Sequence, residues 1–291
     1  MNLTAVWVLL AAVLAPVQAS VVVAYESGID AYAEAVEGLR TGLGAVPFTI
    51  VDLRSPGGSD ELARAIASRE TRAVVAVGNA ALKNVQAYRP GAPVIAALVL
   101  RGRETELASA HVELDVTLAI QLAAMKAILP GRTRAGLIYN PKNARYPIEV
   151  LEARARREGY TLSSVACDTP SRLLKAMASL KGHVDFVLCT PDPDFYNPVT
   201  IKPLVMASLE ERLPLVGFSP AFVRAGALAG IYPDYRETGR QAADLALRLM
   251  KNGERPADEG PSKVRVAVNQ RVARLLGIEF RTPSFPLEVF R

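Results

Sequence analysis

The sequence predicts an α/β protein built as two successive layered halves, and three observations carry that prediction. Strand-length apolar runs alternate with amphipathic stretches along the 291 residues. The runs are continuously apolar, the pattern of parallel strands covered by helices on both faces. The alternation also runs through two series, and a chain of this length exceeds what one core usually holds, domains averaging about 100 to 150 residues.

Taken in order, the chain opens on nineteen residues without a charged side chain, apolar from Ala5 to Leu14 and ending Val17-Gln18-Ala19. Small residues at the first and third places before a cut mark a secretory signal, residues 1–19, with cleavage after Ala19. The apolar stretch falls short of the roughly 20 residues that span a bilayer. No Cys stands at the cut to take a lipid, so an exported, periplasmic protein, soluble after cleavage, is expected.

Four strands are predicted next, at 21–25, 48–53, 73–77 and 94–100. From Asp115 to Leu129, Leu118, Leu122, Met125 and Leu129 share one helix face until Pro130-Gly131 ends it, which marks a crossover. A second series follows at 135–139, 161–166, 184–189, 214–218 and 227–232, with helical stretches such as 148–158 and 171–180 between. A helix at 236–250 stops at Asn252-Gly253, and after a polar connection at 255–262 come a strand at 264–268 and a short helix at 271–276. Each half is thus expected to borrow an element from the far end of the chain, and the tail beyond Gly277 to lie on the surface.

The net charge of +5, from 34 basic and 29 acidic residues, is scattered. Arg64, Arg69 and Arg72, or Arg154, Arg156 and Arg157 beside Glu152 and Glu158, read as solvated helix faces, and no basic stripe interleaved with aromatics points to nucleic acid. The two cysteines, Cys167 and Cys189, close the second and third strands of the second series. In a doubly wound sheet the first strand lies between those two, so two buried free thiols are expected.

Enzyme signatures are missing: the sequence has no G-x-G-x-x-G, G-x-x-x-x-G-K-[ST], G-x-S-x-G, H-E-x-x-H or C-x-x-C. His111 and His183 are expected to be surface or packing residues. Asp192-Pro193-Asp194 follows a strand, where a metal-dependent phosphotransfer enzyme would also put carboxylates, but the accompanying Lys and further acids cannot be assembled. The pair can equally cap the next helix or accept bonds from a ligand ammonium at a strand's carboxyl end. No catalysis, cofactor or metal is expected.

Six stretches carry a resemblance: Ala73-Val-Val-Ala-Val-Gly78-Asn-Ala80; Gly136-Leu-Ile-Tyr-Asn140-Pro141; Val184-Asp185-Phe-Val with Asp192; Pro214-Leu-Val-Gly217-Phe-Ser219; Gly226-Ala-Leu-Ala with Asp234-Tyr235 and Gly239-Arg-Gln-Ala-Ala243; and Val268-Asn269 with Ala273-Arg-Leu-Leu-Gly277-Ile. In order and spacing they resemble the substrate-binding proteins of ABC transporters, in the tryptophan/tyrosine-type branch. The resemblance implies a type I periplasmic binding protein: two Rossmann-like lobes with parallel sheets, hinged by three crossovers near Asp115, Asp234 and Gly260. The lobes would comprise residues 20–115 with 235–259, and 116–234 with 260–291.

The resemblance further implies a monomer that holds a small-molecule ligand in the interlobe cleft and serves an ABC permease and its ATPase. Carried over, the cleft residues are Tyr25, Glu26, Asn79, Ala80, Tyr139, Asn140, Asp192, Asp194, Ser219 and Asp234. Helix starts near Asn79 and Ser219 suit a ligand carboxylate, Asp192 or Asp194 an ammonium, and Tyr25 or Tyr139 an apolar part. Asn79-Ala80 and Arg101-Gly102-Arg103 depart from the family's usual Thr/Ser-Pro and Asp-Pro, so the ligand, an amino acid or similar polar compound, can differ from an aromatic amino acid. The alternative functions are an exported ligand-sensing module for a membrane signalling partner and a phosphotransfer enzyme using Asp192 and Asp194.

Overall fold

The computed structural model describes residues 20–100, 103–192, 195–253, 258–283 and 286–291. The expected signal at 1–19 lies outside them, as do Arg101, Gly102 and Asp194.

The first sheet comprises Ser20–Tyr25 (β1), Phe48–Asp52 (β2), Thr71–Val77 (β3), Val94–Val99 (β4) and Ala110–Glu113 (β5), in the order β2-β1-β3-β4-β5, all parallel. Helices Asp30–Leu43 (α1), Gly58–Ala67 (α2), Asn79–Ala87 (α3) and the turn Arg103–Glu106 (α4) connect these strands. Leu118–Ile128 (α5) leads into the second series, Arg134–Tyr139 (β6), Thr161–Ala166 (β7), Phe186–Leu188 (β8), Leu215–Gly217 (β9), Ala229–Pro233 (β10), Val264–Asn269 (β11) and Leu287–Phe290 (β12). These strands form a sheet ordered β12-β11-β10-β9-β8-β6-β7. Its helices are Ile148–Arg157 (α6), Leu173–Leu180 (α7), Pro198–Glu210 (α8), Pro220–Ala225 (α9) and Gln270–Leu276 (α11), while Tyr235–Asn252 (α10) returns to the first sheet.

Val21 to Ala24 and Ala73 to Val77 are buried along their whole length, as a strand covered on both faces requires. Each valine so buried contributes roughly 1.5–3 kcal/mol, and β4, buried at every position, joins β1 and β3 as a hydrophobic anchor of the sheet. Cores on either side, around Leu39 and around Leu82, confirm that both faces are occupied. In the second sheet β6 separates β7 from β8, and Cys167 and Cys189 are buried free thiols.

Three features differ from the sequence reading. β5 is an added strand, hidden because its Ala-His-Val-Glu run is half polar; His111 is nonetheless buried, its Nε2 3.1 Å from the Val99 carbonyl oxygen. The tail contributes the edge strand β12, where Glu288 accepts a 2.8 Å bond from the Tyr232 hydroxyl. β10 and β11 pair antiparallel, because the chain returns from α10 directly beside the strand it left.

The chain crosses between the sheets after β5, after β10 and after α10. The last two crossings exist because α10 packs on α1 at near backbone contact. A Cβ on Gly38 would lie 1.9 Å from the Arg236 carbonyl oxygen, and one on Gly239 would lie 1.9 Å from that of Ala35. Around this contact Ala242, Ala243 and Ala246 join Val36, Leu39 and Leu43 in one core. Caps set the returning helix: Asp234 Oδ1 accepts from the Glu237 N–H at 3.0 Å, and Gly253 closes the other end at φ 67°.

Polar bonds tie the crossings together. Arg265 on β11 reaches Glu34 on α1 at 3.1 Å. Glu237 accepts from Arg240 at 2.7 Å and from Lys263, just before β11, at 3.1 Å. The Arg240 bond above all, against the opposing effect of burial and with help from Lys263, holds the Glu237 carboxyl below its usual 4.5.

Two outcomes are expected. Gly239→Ala pushes a methyl group into backbone and should lose about 1–3 kcal/mol or more in urea unfolding, whereas Gly91→Ala, which meets open space, should not; equal stabilities would refute the close crossing. A depressed carboxyl pKa adds stability that is complete above the unfolded value and lost as pH falls through the folded one. Glu237→Gln should therefore be less stable than the parent at neutral pH and converge with it in acid, and a gap that persists in acid would deny the linkage.

Candidate functional site

In an open parallel sheet the crevice opens at the carboxyl ends of the strands, where consecutive connections leave to opposite sides. In the second sheet that point lies between β6 and β8, since β7 sits on the far side of β6. A pocket of about 150 Å³ occupies it. Its walls are the crossover from Asp115 to Gln121, the loop from Tyr139 to Tyr146 after β6, and Thr190 to Asp192 after β8.

Each wall is stiffened by its own polar bonds. Thr117 caps α5, and Gln121 Nε2 donates to the Val116 carbonyl at 2.8 Å. Asn140 is buried and folds its loop, its Oδ1 accepting from the Lys142 N–H at 3.1 Å as an Asx turn. Asp192, 7% exposed, accepts from Asn143 Nδ2 at 3.1 Å and from the Phe195 N–H at 3.3 Å, so its carboxylate joins the loops after β6 and β8.

Arg145 crosses from this pocket to the other sheet. Its Nη1 and Nη2 donate to Glu113 on β5 at 2.5 and 2.8 Å. Those bonds first, outweighing burial and aided by the charge of Glu113 and more weakly by nearby Asp115, keep the guanidinium protonated more firmly than usual. Because Arg145 is 37% exposed, the net contribution is about 1 kcal/mol or less. The pair therefore positions a cation at the pocket and adds little to stability. Arg145 and Arg154 also lie over the Tyr146 ring, at 5.2 and 4.5 Å from its centroid.

The equivalent point of the first sheet, between β1 and β3, carries a second group of residues. Tyr25 ends β1, half-buried, and Glu26 follows it. Tyr32 lies against Gly78, where a Cβ would come within 2.4 Å of its ring and where φ is +91°, a conformation that favours glycine. Burial first, and Glu26 second, raise the Tyr32 hydroxyl pKa against the influence of Arg54. Asn79 is exposed at the start of α3, with Ala80 half-buried behind it.

Of the residues expected in the cleft, Tyr139, Asn140 and Asp192 line one pocket. Tyr25, Glu26, Asn79 and Ala80 stand together at the switch point of the first sheet. Ser219 caps α9, its hydroxyl accepting from the Phe222 N–H at 3.3 Å, and Asp234 caps α10; neither lines this pocket. Asp194 lies outside the described residues. Sequence reasoning missed Asp115, Asn143, Arg145, Tyr146 and Thr190, although the polar run after Asn140-Pro141 was the available signal. Among the described residues no group of three or more His, Cys, Asp or Glu is arranged to hold a metal ion.

This chain is similar to a tyrosine-binding protein of Clostridioides difficile (strain R20291), at 27% identity over 146 residues, which cover 49% of the chain and 40% of that protein. Its fold is similar to a ligand-free, open substrate binding protein with adhesive properties from Clostridium difficile, with a TM-score of 0.68 at 15% identity, covering 94% of this chain and 99% of that one. An ABC domain in complex with L-Trp from Streptococcus pneumonia is similar at a TM-score of 0.58 and 17% identity, covering 92% and 96%. A family profile matches residues 109–282, more than half of the sequence, and with it the chain belongs to the ABC transporter substrate binding protein family.

Proposed function

We propose that this protein is the exported solute-binding component of an ABC importer, a monomer that captures a small zwitterion such as an amino acid and presents it to a permease and its ATPase. The observation that carries the reading is the pocket at the β6/β8 switch point, where carboxylates, guanidinium groups and tyrosines converge. Asp115 and Asp192 suit a ligand ammonium, Arg145 and Arg154 a ligand carboxylate, and Tyr139 and Tyr146 its apolar part. The tyrosine-binding relative and the L-Trp complex support an amino acid.

The lobes are residues 20–115 with 235–259, and 116–234 with 260–291, hinged at the three crossovers. Apart from Asp115, at the crossover, the pocket belongs to the second lobe, and closure brings Tyr25, Glu26 and Asn79 of the first lobe against the ligand. Contacts that exist only in the closed form shift the population toward it, and that form is what a permease recognises. The apolar leader supports export to the periplasm with cleavage after Ala19. No described helix is long and apolar enough to cross a membrane.

Thermal unfolding of residues 20–291 with a library of small metabolites tests this. A ligand at a hundredfold excess over its Kd should stabilise the protein by about 2.7 kcal/mol, and no shift with any solute would refute solute binding. Asp192→Asn should weaken an ammonium-bearing ligand by roughly 1.5–3 kcal/mol, about ten- to 150-fold in Kd by calorimetry. An unchanged Kd would remove Asp192 from recognition.

A further inference from the structure

At the opposite edge of the first sheet from Tyr25 and Asn79, a groove of about 670 Å³ runs between the end of α2, the start of β3, the α3–β4 turn and the end of α10. Three arginines line it, Arg69, Arg72 and Arg89, and all are exposed. No ion pair among the described residues engages them, and no Asp or Glu lines the groove. The nearest acid in sequence, Glu70, borders the neighbouring hollow beside Ser20 and Phe48. Arg89 holds φ +47°, a left-handed conformation that costs a non-glycine residue of order 1–3 kcal/mol. A bulky cation thus occupies a position where local backbone preference favours glycine or asparagine. Tyr88 beside it is 40% exposed, the amphipathic residue type enriched where protein meets headgroups.

Ser20, the first described residue, lies at the same end of the strands. Ser20 donates its N–H to the Glu70 carbonyl at 2.9 Å and pairs in register with Thr71, itself a groove residue. Three guanidinium groups without an acidic partner in the groove and the amphipathic Tyr88 thus share one end of one sheet.

We infer that this edge is a membrane-docking surface, in which Arg69, Arg72 and Arg89 take the phosphates of anionic phospholipid headgroups. Guanidinium binds phosphate through paired donors, and each basic residue near an anionic bilayer contributes about 1 kcal/mol, or roughly fivefold in partitioning. Docking at this edge leaves the carboxyl ends of the strands, and the pocket, open to solvent. It also keeps the protein at the bilayer once the leader is cut. The inference stands independently of which solute the pocket takes.

Co-sedimentation of residues 20–291 with vesicles tests it. Vesicles of phosphatidylcholine and phosphatidylglycerol in equal parts should retain the protein at low salt and release it at high salt, and pure phosphatidylcholine vesicles should not bind it. The Arg69→Gln/Arg72→Gln/Arg89→Gln variant should lose partitioning on the order of a hundredfold with an unchanged Tm. Arg156→Gln/Arg157→Gln, which removes exposed charge from the second sheet's helix α6, should keep it. No binding to phosphatidylglycerol vesicles, equal binding to both vesicle types, or a triple variant that binds like the parent would each overturn the inference. Inorganic phosphate competing at millimolar concentration would also overturn it, by showing a soluble-anion pocket in place of a surface.

Discussion

The contact between α1 and α10 through Gly38 and Gly239 is the constraint on which the arrangement rests. Two helices touching at their backbones leave no room for a side chain, so this interface needs glycine at its centre, with Ala242, Ala243 and Ala246 packed against Val36, Leu39 and Leu43 around it. It draws residues 235–252 out of the second series and clamps them to the first sheet. Two of the three crossings follow, since the chain must leave β10 to reach α1 and return afterwards to pair β11 with β10.

Those crossings run alongside each other. Glu259 bonds with β5 on its way back, its N–H donating to His111 and its carbonyl accepting from Glu113. Glu237 and Lys263 link the other two strands of chain, and Arg265 reaches Glu34. Individually these exposed or half-exposed pairs are worth about 1 kcal/mol or less. Collectively they make the connection between the sheets a defined structure, while the apolar cores on each sheet carry the stability. The junction is not polar alone, since the core around Leu39 also takes in Val223, Tyr232 and Ala267 from the second series.

The two switch points present complementary chemistry. The second sheet offers buried Asp192 with a cation at Arg145, oriented by Glu113 from across the crossover. The first offers Tyr25, Glu26 and the Tyr32–Gly78 contact. Arg145 bonds the pocket to the first sheet, so the local electrostatics of the pocket depend on how the sheets are set. The basic edge formed by Arg69, Arg72 and Arg89 lies at the far end of the strands, where it does not perturb the pocket.

The apolar runs and amphipathic stretches were legible in the sequence because periodicity and continuous burial are local properties: β7 runs over residues 161–166 as expected, and α10 extends its expected span by one residue at the start and two at the end. The place of β6 between β7 and β8, and with it the separation of the two thiols, followed from the winding of a doubly wound sheet. β5 and β12 escaped because four-residue strands interrupted by polar side chains carry no period of their own and are stabilised by neighbours. The pocket was partly legible, since a strand's carboxyl end can be located from the strand, which found Tyr139, Asn140 and Asp192. Tertiary structure alone decided that Arg145 reaches Glu113, 32 residues away, and that Arg89 joins Arg69 and Arg72. Such meetings depend on strand order and on the angle at which helices cross, and those are set by packing between segments far apart in the chain.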